Sequence, residues 1–119
     1  PYTASLDYYE RVAEQCGSIE KAKEFIRFYI IPGMSHGPGP GINKTPSMLD
    51  LVINWREKGV APDMIQGQRV VNGKTEIDIP IYPYPAKATW TQDGGFKPVD
   101  GPRGGVDRIA ERFRPPAAE

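Results

Sequence analysis

Apolar residues recur at helical spacing over the first part of the chain. The set that shares one helix face over residues 1–17 consists of Leu6, Tyr9, Val12, Ala13 and Cys16. This spacing predicts a helix that ends at Gly17 and is capped at its start by Thr3 or Ser5. Ser18 is expected to cap a second, short helical turn.

The pattern changes to that of a strand over residues 25–31 (FIRFYII), where β-branched and aromatic residues dominate. This strand is predicted to stop at Pro32 and to be buried on both faces except at Arg27. Residues 32–46 hold eight glycines and prolines. That density predicts a structured loop without regular elements, and the loop carries His36.

A helical pattern returns over residues 47–58. Ser47 fits a capping box at its start and Gly59 fits its end, whereas Pro46 is the alternative first helical residue after a Thr45 cap. The apolar stripe of this helix consists of Met48, Leu51, Val52 and Trp55. We expect the stripe to face the core, so packing is favoured over ligand stacking for the tryptophan.

A β-hairpin is predicted next, because Asn72 and Gly73 form a strong type I′ turn signal between two strand-like stretches. Those stretches are residues 64–71 and 74–79.

Prolines dominate the segment that follows. Residues 80–85 (PIYPYP) alternate proline with apolar residues, which predicts an extended stretch outside the sheet. Residues 86–105 are expected to be irregular, and residues 106–113 form a possible last short helix.

Composition excludes several classes of function. The chain has 119 residues, with Lys+Arg and Asp+Glu at 15 each, so we expect no nucleic-acid partner held by bulk charge. No apolar run approaches the ~20 residues of a membrane span, so we expect no membrane association. One cysteine, Cys16, excludes an internal disulfide and a multi-cysteine metal site, and one histidine excludes a histidine cluster. We therefore expect neither metal nor cofactor. Because the chain begins at Pro1 rather than at methionine, we expect it to be a processed or recombinant form.

The strand, the glycine-rich loop and the following helix predict an α/β unit with His36 just beyond the carboxyl end of the strand. Ligands bind at that edge of open α/β sheets. A histidine there suits general-base chemistry, because its pKa lies near working pH. The alternative is a loop histidine in water.

The residues around His36 also match a nucleophile-elbow pattern, G-x-S-x-G, at positions 33–37 (GMSHG). An elbow requires a helix directly after the serine, and Pro38 and Pro40 make that helix untenable. We therefore interpret Ser35 as a local hydrogen-bonding residue. Cys16 is expected to be an inert core thiol, and Asp50 is better explained as a capping residue than as the acid of a triad. A hydrolytic site would need residues from outside this chain.

Several spaced motifs together resemble the tannase and feruloyl esterase family, a branch of the α/β-hydrolases. They are residues 8–12 (YYERV), 31–36 (IPGMSH), 50–52 (DLV) with Trp55, 57–63 (EKGVAPD) and 83–86 (PYPA). The combination is more specific than any single motif. The resemblance implies an α/β fold in which residues 1–95 are the C-terminal part of such a hydrolase domain and residues 96–119 an irregular tail.

The resemblance assigns His36, by position, to the family's catalytic histidine, which takes a proton from a serine and passes it to the leaving group. In the family the serine and aspartate precede this segment, so the chain alone would be inactive. The implied substrate is a small ester of an aromatic or phenolic acid, such as a galloyl or feruloyl ester. The resemblance also implies a secreted or periplasmic location.

The sequence departs from the family pattern at two positions. Gly37 stands where the family typically has a disulfide-bonded cysteine, and Tyr82 stands where it often has another cysteine. This member would therefore lack those bridges. The family's lid domain is also absent from the chain.

Two expectations stay open beside the esterase. A non-catalytic binding or structural module would use the prolines and tyrosines of residues 80–90 as its surface. Because the strand over residues 25–31 would have free edges, we expect either that the chain forms a homo-oligomer through this strand or that the strand pairs with the hairpin.

Overall fold

The computed structural model describes residues 2–34, 36 and 39–101. These residues fall into two compact units, residues 2–28 and residues 29–101. Within the described ranges, no helix combines the length and the apolar character that crossing a bilayer requires.

The first unit opens with helix α1 (Tyr2–Cys16), and Gly17 follows it with a φ of 95°. The predicted helix and its end at glycine are confirmed. The predicted caps are wrong, because the helix has already begun at Tyr2 and so includes Thr3 and Ser5. The apolar side chains that α1 buries are Leu6, Tyr9 and Ala13, which share the predicted face.

Helix α2 (Ile19–Lys23) is the predicted second turn. Ser18 caps it, because its Oγ accepts a hydrogen bond from a backbone N–H of the first turn at 3.2 Å. The chain after α2 folds back on α1. The Tyr9 hydroxyl donates to the carbonyl oxygen of Ile26 at 3.3 Å, and its ring stacks on that of Phe28 with centroids 5.7 Å apart.

In the second unit, strands β1 (Ile65–Val71) and β2 (Lys74–Ile81) form an antiparallel hairpin. Asn72 and Gly73 have φ values of 51° and 75°, which is the type I′ geometry that the Asn-Gly pair predicts.

Strand β2 continues two residues beyond its predicted end. Pro80 pairs with Gln66 and Ile81 with Ile65, so the expectation that Pro80 lies outside the sheet is wrong. Proline is tolerated because β2 is an edge strand whose outer side needs no donor. The pairing places Ile81 in a small core whose buried apolar members are Ile42, Ile65, Ile81 and Tyr84.

The strand predicted over residues 25–31 does not form. Within the described residues this segment has no strand partner, and Phe25 and Ile30 are exposed. An extended segment becomes a strand only when a neighbour satisfies its backbone N–H and C=O groups. At the hairpin, the outer edge of β1 is occupied by a bridge between Gln68 and Lys44 instead.

Residues 86–105 are more regular than predicted. Strands β3 (Ala86–Trp90) and β4 (Phe96–Asp100) form a second antiparallel hairpin there. The predicted helix over residues 106–113 lies outside the described residues.

Helix α3 (Met48–Lys58) begins and ends where the sequence predicts. Ser47 is its N-cap and Gly59, with a φ of 68°, its C-cap. Its apolar stripe, however, is not a core face: no residue of the helix is buried, and Met48 and Val52 are 43% and 58% exposed. Leu51 and Trp55 on the same stripe are half-buried, so the described part of the chain covers this face only in part.

Candidate active site

His36 lies at a bend in the loop that leads to α3, and its side chain is exposed. The loop is the one predicted from its glycines and prolines. The prediction that His36 follows the end of a strand is not met in this chain, because residues 26–31 are extended without a strand partner.

The base of this loop is closed by backbone contacts. Gly41 N–H donates to the carbonyl of Gly33 at 3.2 Å, and Ile42 N–H donates to that of Pro32 at 3.1 Å. Gly33 has a φ of 67°, and a Cβ on it would lie 2.7 Å from the Cα of Gly41. Two glycines are therefore required where the two limbs of the loop cross.

The limb that follows His36 is attached to strand β1. The side-chain amide of Asn43 bonds to both backbone groups of Val70, donating to its carbonyl and accepting from its N–H, each at 2.9 Å. Lys44 and Gln68 exchange backbone hydrogen bonds of 3.0 and 2.9 Å.

The side chain of Arg69 holds the same limb from the hairpin. Its Nη1 donates to the carbonyl oxygens of Gly39 and Gly41 at 2.9 and 3.1 Å. Its Nε lies 3.2 Å from Oε2 of Glu76. No sequence motif indicates this arginine's role, because only the pairing of the hairpin brings it to the loop.

The other candidate residues have structural roles. The backbone N–H of Asp50 donates to Ser47 Oγ at 3.3 Å, which supports its place in the first turn of α3. Cys16 is a free, half-buried thiol. Among the described residues, no group of three or more His, Cys, Asp and Glu side chains is placed to hold a metal ion.

The proline-tyrosine segment offers little surface. Tyr84 is 8% exposed, and Pro83 and Pro85 are buried beside it. Trp90 is exposed, but its ring packs edge-on against Phe96, with centroids 5.1 Å apart.

The described structure is similar to the crystal structure of feruloyl esterase B from Aspergillus oryzae. The TM-score is 0.66 at 25% sequence identity, and the match covers 82% of this chain and 24% of that one. That solved structure is of the α/β-hydrolase class, and the chain shares the fold of about a quarter of it.

Comparison of the sequence with family models identifies the family. The family model "Tannase and feruloyl esterase" matches residues 1–101, so the chain belongs to the tannase and feruloyl esterase family.

Individual relatives agree with this assignment. The chain is 38% identical over 81 residues to probable feruloyl esterase B-2 of Aspergillus terreus, which covers 56% of this chain. It is 34% identical over 94 residues to mono(2-hydroxyethyl) terephthalate hydrolase of Piscinibacter sakaiensis, which covers 76% of this chain. The matches span 15% of the length of each of these relatives.

Proposed function

We propose that this chain is the C-terminal part of a serine carboxylic-ester hydrolase and that His36 is its general base. The observation that carries the proposal is that the family match over residues 1–101 contains a single histidine. That histidine is exposed on a loop whose base and far limb are fixed by hydrogen bonds. An exposed imidazole on a held loop is available to a substrate and to groups from outside the chain.

In the proposed reaction the His36 imidazole accepts the proton of a serine hydroxyl while the serine oxygen adds to the ester carbonyl. The imidazolium then protonates the departing alkoxide, which leaves an acyl-enzyme. In the second half the imidazole takes a proton from water, the hydroxide releases the acid, and the serine recovers its proton. The serine and the orienting acid come from the part of the protein outside this chain.

The substrate class we propose is esters of aromatic acids. Two relatives carry names that specify feruloyl and terephthalate esters, and both acyl groups are aromatic.

The test is hydrolysis of a chromogenic aromatic ester by the full-length protein and by the 119-residue chain. We expect the chain alone to be inactive and His36→Ala in the full-length protein to lower kcat by roughly 10²–10⁴-fold. Ser35→Ala is the matched control, since it alters the neighbouring residue and should leave kcat nearly unchanged. Activity of the isolated chain that survives His36→Ala would contradict the proposal. Loss of activity in Ser35→Ala would support the rejected interpretation of Ser35 as the nucleophile of an elbow.

The alternative, a non-catalytic module with a proline-tyrosine surface, is less well supported, because residues 83–85 are buried. It predicts that His36→Ala leaves ester hydrolysis by the full-length protein unchanged.

A further inference from the structure

Arg69 is the charged side chain that reaches from the hairpin to the loop of His36. One nitrogen, Nη1, donates to two carbonyl oxygens, those of Gly39 and Gly41. Hydrogen bonds from a guanidinium are stronger than those between neutral groups. A single side chain therefore fixes two points of the limb that leads away from His36.

A β-bulge in the hairpin orients the side chain of this arginine. The β1–β2 register shifts between Arg69 and Val70: Arg69 pairs with Ile77 and Val70 with Thr75, which leaves Glu76 as the extra residue of a bulge. Bulges redirect side chains at the edges of sheets. Here the extra residue is the one whose carboxylate bonds to Arg69 Nε at 3.2 Å.

The other described contacts hold the loop at its base and in the chain that follows it. The crossing of Gly33 and Gly41 closes its base, and Asn43 attaches the chain beyond it to β1. Within the loop that the crossing of Gly33 and Gly41 encloses, Arg69 donates to the carbonyl of Gly39. The guanidinium therefore holds the loop on the side that follows His36, three residues beyond the histidine.

We propose that Arg69 is a positioning residue for His36, held in place by Glu76 and acting through the carbonyls of Gly39 and Gly41. This inference rests on the proposed function, because it assigns the held loop to presentation of the general base. A general base displaced by about 1 Å loses much of its effect on rate, while substrate binding elsewhere is unaffected.

The experiment compares Arg69→Gln, Arg69→Lys and Arg56→Gln in the full-length protein with a chromogenic aromatic ester. We expect Arg69→Gln to lower kcat by roughly 10- to 100-fold with KM changed less than about twofold. Arg69→Lys keeps a donor but loses the fork, so an intermediate kcat is expected. Arg56, exposed on α3, is the matched control, and its variant should have the activity of the unmodified protein.

Glu76→Gln tests the second half of the proposal. A neutral amide still accepts from Nε but orients the guanidinium less firmly, so a smaller decrease in kcat than for Arg69→Gln is expected. In Arg69→Ala, millimolar guanidinium should restore part of kcat, which a general loss of stability would not allow.

Backbone amide relaxation in the 119-residue chain separates the two proposals. Arg69→Gln should increase fast motion at Gly39 and Gly41 but not at Thr75, which lies in the hairpin. One outcome is that Arg69→Gln loosens the loop but leaves kcat unchanged, while His36→Ala is still inactive. That outcome overturns positioning by Arg69 and leaves the proposed function standing. If His36→Ala remains active, the proposed function fails, and the catalytic role of Arg69 fails with it. If kcat and KM change together without loosening of the loop, Arg69 does not act through the loop.

Discussion

At the scale of single residues, the tightest requirement lies where the limbs of the His36 loop cross. Gly33 and Gly59 have nearly the same positive φ, 67° and 68°. An added Cβ meets Gly41 Cα at 2.7 Å in the first case and nothing within 4 Å in the second. The two glycines therefore share the conformational cost of a side chain but not the steric one.

We predict that Gly33→Ala destabilises the chain by about 1–3 kcal/mol more than Gly59→Ala, because only the former forces two backbones apart. Urea unfolding of the two variants of the 119-residue chain measures the difference in free energy of unfolding. Equal losses would mean that the crossing relaxes at no cost, and would remove the reason for a glycine pair at the base of the loop.

Of the two residues assigned to the site, only His36 is recognisable from the sequence. His36 was recognisable because its type and its glycine-rich surroundings are local information. Arg69 was not, because its role depends on strand pairing and on a bulge that no short motif encodes.

At the scale of elements, the hairpin turn and the caps of α3 were predicted correctly, whereas two predictions that depend on a partner surface were not. The turn at Asn72 and Gly73 and the caps of α3 are determined by a few adjacent residues, and both are confirmed. The strand over residues 25–31 needs a neighbouring strand and the stripe of α3 needs a covering surface; the described residues supply no such strand and cover the stripe only in part. Hydrophobic periodicity reports that a face must be covered but not whether the covering surface is in the same chain.

The β3–β4 hairpin was missed because its strands are short and contain Pro98, which pairs with Ala88 on a two-stranded sheet. Its turn has a polar network of its own. The Thr91 hydroxyl accepts from Gly95 N–H at 3.0 Å. The Thr91 hydroxyl donating to Asp93, with help from the backbone N–H of Asp93, lowers the pKa of that carboxyl below 3.8.

A pKa lowered on folding means that the ionised Asp93 stabilises the folded hairpin. That contribution is complete above pH 3.8 and is lost as the pH falls through the lower, folded-state pKa. We predict that Thr91→Val raises the pKa of Asp93 toward 3.8 and that Thr91→Ser, which keeps the hydroxyl, leaves it low. Carbon NMR titration of the Asp93 carboxyl measures both, and an identical pKa in the two variants would exclude the hydroxyl as the main cause.

At the scale of the whole molecule, the described chain leaves many large apolar side chains exposed. They include Phe25 and Ile30 in the extended segment and Leu49, Val52 and Ile53 on α3. The matches span 15% of the length of the Aspergillus terreus and Piscinibacter sakaiensis relatives, so those longer proteins have further chain available to cover the corresponding faces. Self-association through the extended segment stays a prediction. Paired substitutions can distinguish it from non-specific association through exposed apolar surface.

Ile30 and Ile53 give a matched pair for that separation, because both are 41% exposed and only Ile30 lies on the extended segment. A lysine on an unpaired extended segment blocks edge-to-edge pairing, whereas a lysine on a helix only removes apolar area. We predict that the 119-residue chain dimerises and that Ile30→Lys weakens the dimer by at least about tenfold, with Ile53→Lys changing it less than about threefold. Sedimentation equilibrium over a range of concentrations measures both constants. Equal weakening by the two substitutions would mean that exposed apolar area, not backbone pairing along residues 26–31, holds the copies together.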